Sequence, residues 1–109
     1  MPFDIIPVKS FLADIKSLSK KYPSLKNDID EVAIALKAYP QIGEPLGKDC
    51  FKIRVHIKSK GRGKSGGGRL ITCVKILKST VYLLAVFDKS AFENFSQKEL
   101  SQRINEINY

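Results

Sequence analysis

The sequence is poor in metal-binding residues. It has one histidine, His56, and two cysteines, Cys50 and Cys73. The cysteines lack metal-ligand spacing, and no cluster of Asp, Glu, His or Cys surrounds His56 in sequence. Metal-assisted chemistry is therefore not expected, nor is any other cofactor. So few cysteines suit a reducing compartment, with both as half-buried strand residues; a disulfide between them stays open as the alternative. The chain also lacks a run of about eighteen apolar residues, so no membrane-spanning helix is expected. Met1 to Val8 has no basic stretch, apolar core or small-residue cleavage site. No secretory leader is expected, which points to a cytoplasmic protein with no membrane partner.

Negative charge is scarce in the centre of the chain. Residues 1–47 carry six lysines and six acidic residues, which cancel. Residues 48–89 carry eleven Lys and Arg against Asp49 and Asp88, a net +9, and residues 90–109 sum to −1. The whole excess of +8 thus sits in one central segment. Solubility alone would scatter it. Concentration of one sign points to a polyanionic partner, either nucleic acid or an acidic protein segment. At 109 residues and 43% apolar content the chain reads as a single folded domain spanning 1–109.

Phe3 to Pro7 is a short apolar run between two prolines and reads as a brief strand. Phe11, Leu12, Ile15 and Leu18 then recur at three- and four-residue steps, the face of a helix ending near Tyr22-Pro23. Ser24 can cap a second helix, with Leu25, Ile29, Val32, Ala33 and Leu36 as its stripe and Pro40 as its stop. So short a turn predicts an antiparallel helical hairpin. Gln41 to Asp49 reads as a loop. From Phe51 the period becomes two: Phe51, Ile53, Val55 and Ile57 alternate with Lys52, Arg54, His56 and Lys58. Leu70–Leu77 and Val81–Phe87 are further strands around a Lys78-Ser79-Thr80 turn, the last apolar enough to be central. Ser96 and Glu99 form a capping box before a helix marked by Leu100, Ile104 and Ile107. The order β-α-α-β-β-β-α predicts an α+β domain, with the helical hairpin packed on a small antiparallel sheet.

The alternating strand carries the most chemical information. Its helix-covered face takes Phe51, Ile53, Val55 and Ile57, leaving Lys52, Arg54, His56 and Lys58 on the other. Like charges about 7 Å apart repel unless an anion relieves them. A solvated basic strand face is the plainer alternative. Lys58, Lys60, Arg62, Lys64 and Arg69 fall in a glycine-rich stretch suited to close backbone approach to a phosphate chain. Gly63-Lys64-Ser65 resembles the end of a nucleotide-binding phosphate loop. However, Lys58 stands where that pattern needs glycine, and a strand follows where it needs a helix. A flexible cationic loop fits better. Arg69 and Lys89 border the strands and, with consecutive strand pairing, would converge beside Lys52 and Arg54. His56 has an unperturbed pKa near 6.5, suited to proton transfer, although a lone histidine is also often incidental.

These residues bring a family into view. The stretches Lys20-Lys-Tyr-Pro-Ser-Leu25, Pro45-Leu-Gly-Lys48, Cys50-Phe-Lys-Ile-Arg54, Ser59 to Arg69 and Val81 to Ser90 together cover nearly the whole chain. In that order they resemble the RelE/ParE superfamily of bacterial type II toxin–antitoxin toxins, in a RelE-like branch with a long glycine-rich basic loop. The resemblance implies a metal-independent endoribonuclease that cuts messenger RNA on the ribosome, with a cognate antitoxin as partner. The ribose 2′-hydroxyl attacks the adjacent phosphate and basic residues stabilise the developing charge. The family's Lys-x-Lys pair falls on Lys52 and Arg54, its strand-entry arginine on Arg69, and its later arginine near Lys89. In this assignment His56 or Lys52 takes the 2′-proton, and Lys58, Lys60, Arg62 and Lys64 grip the RNA. The family's C-terminal aromatic hydroxyl falls on Phe95, which has none. Phe95 can stack on a base but cannot move a proton. Either His56 or Tyr82 takes part instead, or the rate falls, or the chain does not cleave. The alternatives are a ParE-like toxin that inhibits DNA gyrase without catalysis, or a basic nucleic-acid-binding module.

Overall fold

The computed structural model describes residues 2–60 and 67–107, less the side chains of residues 92–94. The elements run β1 (Asp4–Pro7), α1 (Lys9–Lys21), α2 (Leu25–Ala38), β2 (Glu44–Gly47), β3 (Cys50–Val55), β4 (Gly68–Lys75), β5 (Thr80–Asp88) and α3 (Gln97–Ile104). Short 3₁₀ turns at Lys58–Lys60, Ile76–Lys78 and Lys89–Asn94 connect the later ones. The five strands of the described residues form one sheet in the order β1-β5-β4-β3-β2.

The two N-terminal helices are placed by their apolar stripes. Phe11 of α1 is buried, as are Leu25, Ile29 and Leu36 of α2. Leu12, read as part of the first stripe, instead points outward at 53% exposure. Ser24 precedes α2, but its hydroxyl donates to Asp28 Oδ2 at 2.7 Å and accepts from Ser59 N at 2.8 Å, and it caps no N–H of the helix. Ser96 does cap α3, its Oγ accepting from Glu99 N at 3.0 Å. On β3 the alternation is clear from Ile53 to Val55, with Ile53 and Val55 buried and Arg54 exposed, while Phe51 and Lys52 are both half-buried. β5 is central, and Val81 to Val86 are all buried. That is why its sequence shows no alternation: both faces are covered.

The expected antiparallel sheet is present in β2 to β5, and two features extend it. First, β1 runs parallel to β5, with Asp4 opposite Thr80 and Pro7 opposite Leu83, so the whole sheet is mixed. Second, the segment read as a loop contains β2, paired antiparallel to β3. Pro45 fits there because β2 is an edge strand, where a missing N–H breaks no ladder. Lys48 and Asp49 join β2 to β3 with φ of 56° and 65°, the left-handed pair of a tight hairpin turn without its usual Asn or Gly. The strand read as Phe51–Lys58 stops at Val55, and Lys58 opens a 3₁₀ turn instead. Ile76 and Leu77, read as strand, likewise lie in a turn and are 53% and 102% exposed.

Beyond Pro7, β5 runs on without β1 beside it, which would orphan its outer backbone groups. Two side chains complete that edge. Asp14 Oδ2 accepts from Val86 N at 3.2 Å, and Arg103 Nη1 donates to Leu84 O at 2.8 Å. The two also pair with each other at 2.6 Å, 89 residues apart in sequence. Burial alone would lower the Arg103 pKa, but Asp14 outweighs it and holds the guanidinium above its ordinary value.

Cys50 and Cys73 are free thiols, directly opposite each other on β3 and β4 and buried. Contact with Cys73, followed by burial, pushes the Cys50 thiol far above its ordinary pKa. Among the described residues no group of three or more His, Cys, Asp or Glu side chains could hold a metal. No helix among them is long and apolar enough to cross a membrane.

Candidate functional site

Residues directly opposite in an antiparallel pair share a face, with Cβ atoms about 5 Å apart. The register places Arg54 opposite Arg69 and Arg69 opposite Phe87, so these three form one row across β3, β4 and β5. Lys52 stands in the next row of the same face, with Glu44 of β2 opposite it. His56 is exposed between buried Val55 and Ile57, which continues that face past the strand end. The register thus puts Lys52, Arg54 and Arg69 on one face, with His56 exposed just past the end of β3. Lys89 follows β5 at the same end of the sheet, its backbone N–H donating to Gly67 O at 3.1 Å and its side chain exposed.

The row is electrostatically uncomfortable. Arg69 is only 8% exposed and sits opposite a second guanidinium. Its Nη1 donates to Gly68 O at 3.0 Å. Burial first, then the charge of Arg54, push the Arg69 pKa below its ordinary value. Lys52 is held by Glu44 at 3.1 Å, while Arg54 makes no hydrogen bond or ion pair among the described residues. A polyanion seated over Arg54 and Arg69 would relieve the repulsion and form charge-assisted hydrogen bonds.

The rest of this face is roofed. Cys50, Ile71, Cys73 and Ala85 share it and are all buried. Phe95 stacks on Phe87 with centroids 5.2 Å apart, the Arg103 guanidinium lies 5.9 Å from the Phe95 ring, and Lys48 Nζ donates to Ser101 Oγ at 2.6 Å. Phe95 therefore packs against Phe87, the residue directly opposite Arg69. Tyr82 does not reach the site. It is buried opposite Cys73, four residues along β4 from Arg69, about 13 Å at the usual strand rise.

The basic loop has a built base. Lys58 Nζ lies 2.7 Å from Glu31, and Lys58 N donates to the buried Asp28 carboxylate at 3.1 Å. The Glu31 hydrogen bond raises the Lys58 pKa. Lys60 Nζ donates to Asp88 Oδ1 at 2.7 Å and to Gly67 O at 3.1 Å, and lies 5.8 Å above the Tyr22 ring. Tyr22 Oη donates to Asp88 Oδ2 at 2.7 Å. Burial alone would raise Asp88, but the hydrogen bonds from Lys60 and Tyr22 outweigh it and hold the carboxylate below its ordinary value. Gly67 closes the loop with φ +42°, and a Cβ there would lie 2.4 Å from Val55 O. Lys58 and Lys60 are thus occupied in fixing the loop to α2 and β5. Arg62 and Lys64 lie outside the described residues. The clamp residues Tyr22 and Asp88, and the edge pair Asp14 and Arg103, carried no sequence signal, because their partners are distant in the chain.

No family model and no curated protein sequence matches this chain. Solved structures do. A double-arginine mutant of the Escherichia coli toxin RelE in the free state aligns with 99% of this chain and 100% of its own, at TM-score 0.66 and 20% identity. The isolated E. coli RelE toxin aligns with 94% and 98% at TM-score 0.62 and 20% identity. The intact E. coli RelBE toxin–antitoxin complex matches over 79% of this chain and 95% of the matched one, at TM-score 0.60 and 20% identity. The chain has the RelE fold.

Proposed function

We propose that the protein is a RelE-like toxin of a type II toxin–antitoxin system, a cytoplasmic endoribonuclease that cuts messenger RNA on the ribosome without a metal. The observation that carries this reading is the Arg54–Arg69 row beside Lys52, two guanidinium groups directly opposite each other on one face of the sheet. The RelE fold supports it, as does the position of Phe95 at one end of that row.

In the reaction, the ribose 2′-oxygen attacks the adjacent phosphorus as the bond to the 5′-oxygen breaks, giving a 2′,3′-cyclic phosphate and a 5′-hydroxyl. Arg54 and Arg69 hold the non-bridging oxygens, whose charge grows in the transition state. Lys52, paired with Glu44, contributes charge. That leaves His56 to take the 2′-proton and Lys89 to supply one to the departing oxygen. The antitoxin would cover the row with acidic groups. The matched E. coli RelBE structure is a toxin–antitoxin complex.

The test is induced expression followed by mapping of transcript 5′ ends. Cuts within translated messages are expected, and Arg69→Ala should abolish them. Intact messages with arrested replication would instead point to gyrase, the non-catalytic alternative that the missing Phe95 hydroxyl favours.

A further inference from the structure

The ladder sets the two cysteines as a pair. Cys50 of β3 stands directly opposite Cys73 of β4, and both are buried. Val74 N donates to Asp49 O at 2.9 Å, so the rung beside them is a hydrogen-bonded one. Cys50 and Cys73 therefore form a non-hydrogen-bonded rung, where opposed Cα atoms are about 4.5 Å apart and side chains approach most closely. A disulfide spans Cα separations of about 4.4–6.8 Å, so this rung lies within reach of a bridge. The sulfurs already converge on one atom. Lys48 O lies 3.4 Å from Cys50 Sγ and 3.8 Å from Cys73 Sγ.

The two thiols differ in readiness to react. The hydrogen bond with Cys50 outweighs burial and holds the Cys73 thiol below its ordinary pKa, while Cys50 is held far above. Lys75, paired with Asp49 at 3.3 Å, favours the thiolate of both. One sulfur is thus set to act as nucleophile, with its neighbour placed to resolve the product.

We propose that Cys50 and Cys73 form a redox-sensitive modification site, which hydrogen peroxide closes to a disulfide that staples β3 to β4. The Cys73 thiolate attacks one peroxide oxygen, the O–O bond breaks, and the departing hydroxide takes up a proton as water. The Cys50 sulfur then attacks the Cys73 sulfenic acid. The S–S bond forms, the S–O bond breaks, and a second water leaves with the Cys50 proton. The two thiols lose two electrons and the peroxide gains them. The bridge encloses residues 51–72, which carry Lys52, Arg54 and Arg69. Arg54 lies four residues along β3 from Cys50, about 13 Å at the usual rise, so the staple braces the strands of the cationic row without touching it.

The test exposes the purified 109-residue chain to hydrogen peroxide, then alkylates the remaining thiols under denaturing conditions. The intact mass should fall by two hydrogens with neither cysteine alkylated, and a non-reducing digest should contain a peptide joining Cys50 to Cys73. The oxidised protein should melt at least about 5 °C above the reduced one, because the closed loop restricts the unfolded chain. Dithiothreitol should reverse both changes, and Cys73→Ala should show neither. Thiols that stay alkylatable, sulfinic or sulfonic acid in place of the bridge, bridging only between two copies, or a bridge with no rise in melting temperature would overturn the proposal. The wild-type measurements decide alone if Cys73→Ala is unfolded. No step involves RNA, so failure here leaves the nuclease reading standing, and absence of cleavage leaves the bridge standing.

Discussion

Two neighbouring stretches of one basic segment end in opposite circumstances. Lys52 and Arg54 stand along one face of β3, with His56 just past its end, and Arg54 faces a second arginine across the ladder. Lys58 and Lys60, a few residues on, turn back onto carboxylates of α2 and β5. In sequence all five side chains look like one cationic surface. In the fold Arg54 is left facing a second guanidinium, whereas Lys58 and Lys60 are consumed in fixing a loop. Charge alone therefore does not mark a site; charge left poorly compensated does.

That contrast can be broken from both sides. The largest effect is expected at the open face: Arg69→Ala should lower cleavage at least a hundredfold, the usual scale for removing a group that stabilises transition-state charge. Melting should show the variant still folded, and retained cleavage would refute the assignment.

The clamp should respond in stability first. Asp88→Asn leaves Lys60 without its charged partner and should cost about 1–2 kcal/mol at pH 7, allowing for partial exposure. Because the Asp88 pKa is depressed in the fold, its contribution is present above the ordinary carboxylate range and lost as pH falls through the folded value. The gap between wild type and Asp88→Asn, measured by denaturant melts, should therefore close below about pH 4. A gap independent of pH would show that Asp88 is not held as a carboxylate. Tyr22→Phe removes one hydrogen bond to the same carboxylate and should cost about 1 kcal/mol, in a thermal melt at neutral pH. The smallest effect belongs to Lys58→Ala. Its pair with Glu31 is exposed at the surface, and neither melting temperature nor cleavage rate should change measurably. A large loss of cleavage there would return Lys58 to the RNA-binding set.

Much of the fold was legible because local patterns agree with it. Pro23 and Pro40 follow closely on α1 and α2, and the alternation on β3 correctly assigned Ile53 and Val55 to the core and Arg54 to the open face. β2 was hidden because its tight turn uses Lys48 and Asp49, and because Pro45 is tolerated only through its place at the sheet edge. The parallel pairing of β1 with β5 depends on the whole chain folding back and leaves no local trace. The same limit governs the site. Arg54 and Arg69 follow from period and hairpin order, whereas the fates of Lys58 and Lys60 depend on Glu31 and Asp88, nearly thirty residues away. Asp14 and Arg103 form a working unit only because β1 ends before β5 does.

The central claim is that Lys52, Arg54 and Arg69 share one phosphodiester. The most direct measurement titrates ¹⁵N-labelled protein with a dinucleotide whose 2′-hydroxyl is replaced by hydrogen, so that it binds without being cut. Saturable shifts concentrated at Lys52, Arg54, His56 and Arg69, lost in Arg54→Ala, are the expected result. Binding that maps instead to the α1–α2 side of the sheet, or that survives Arg54→Ala unchanged, would contradict it.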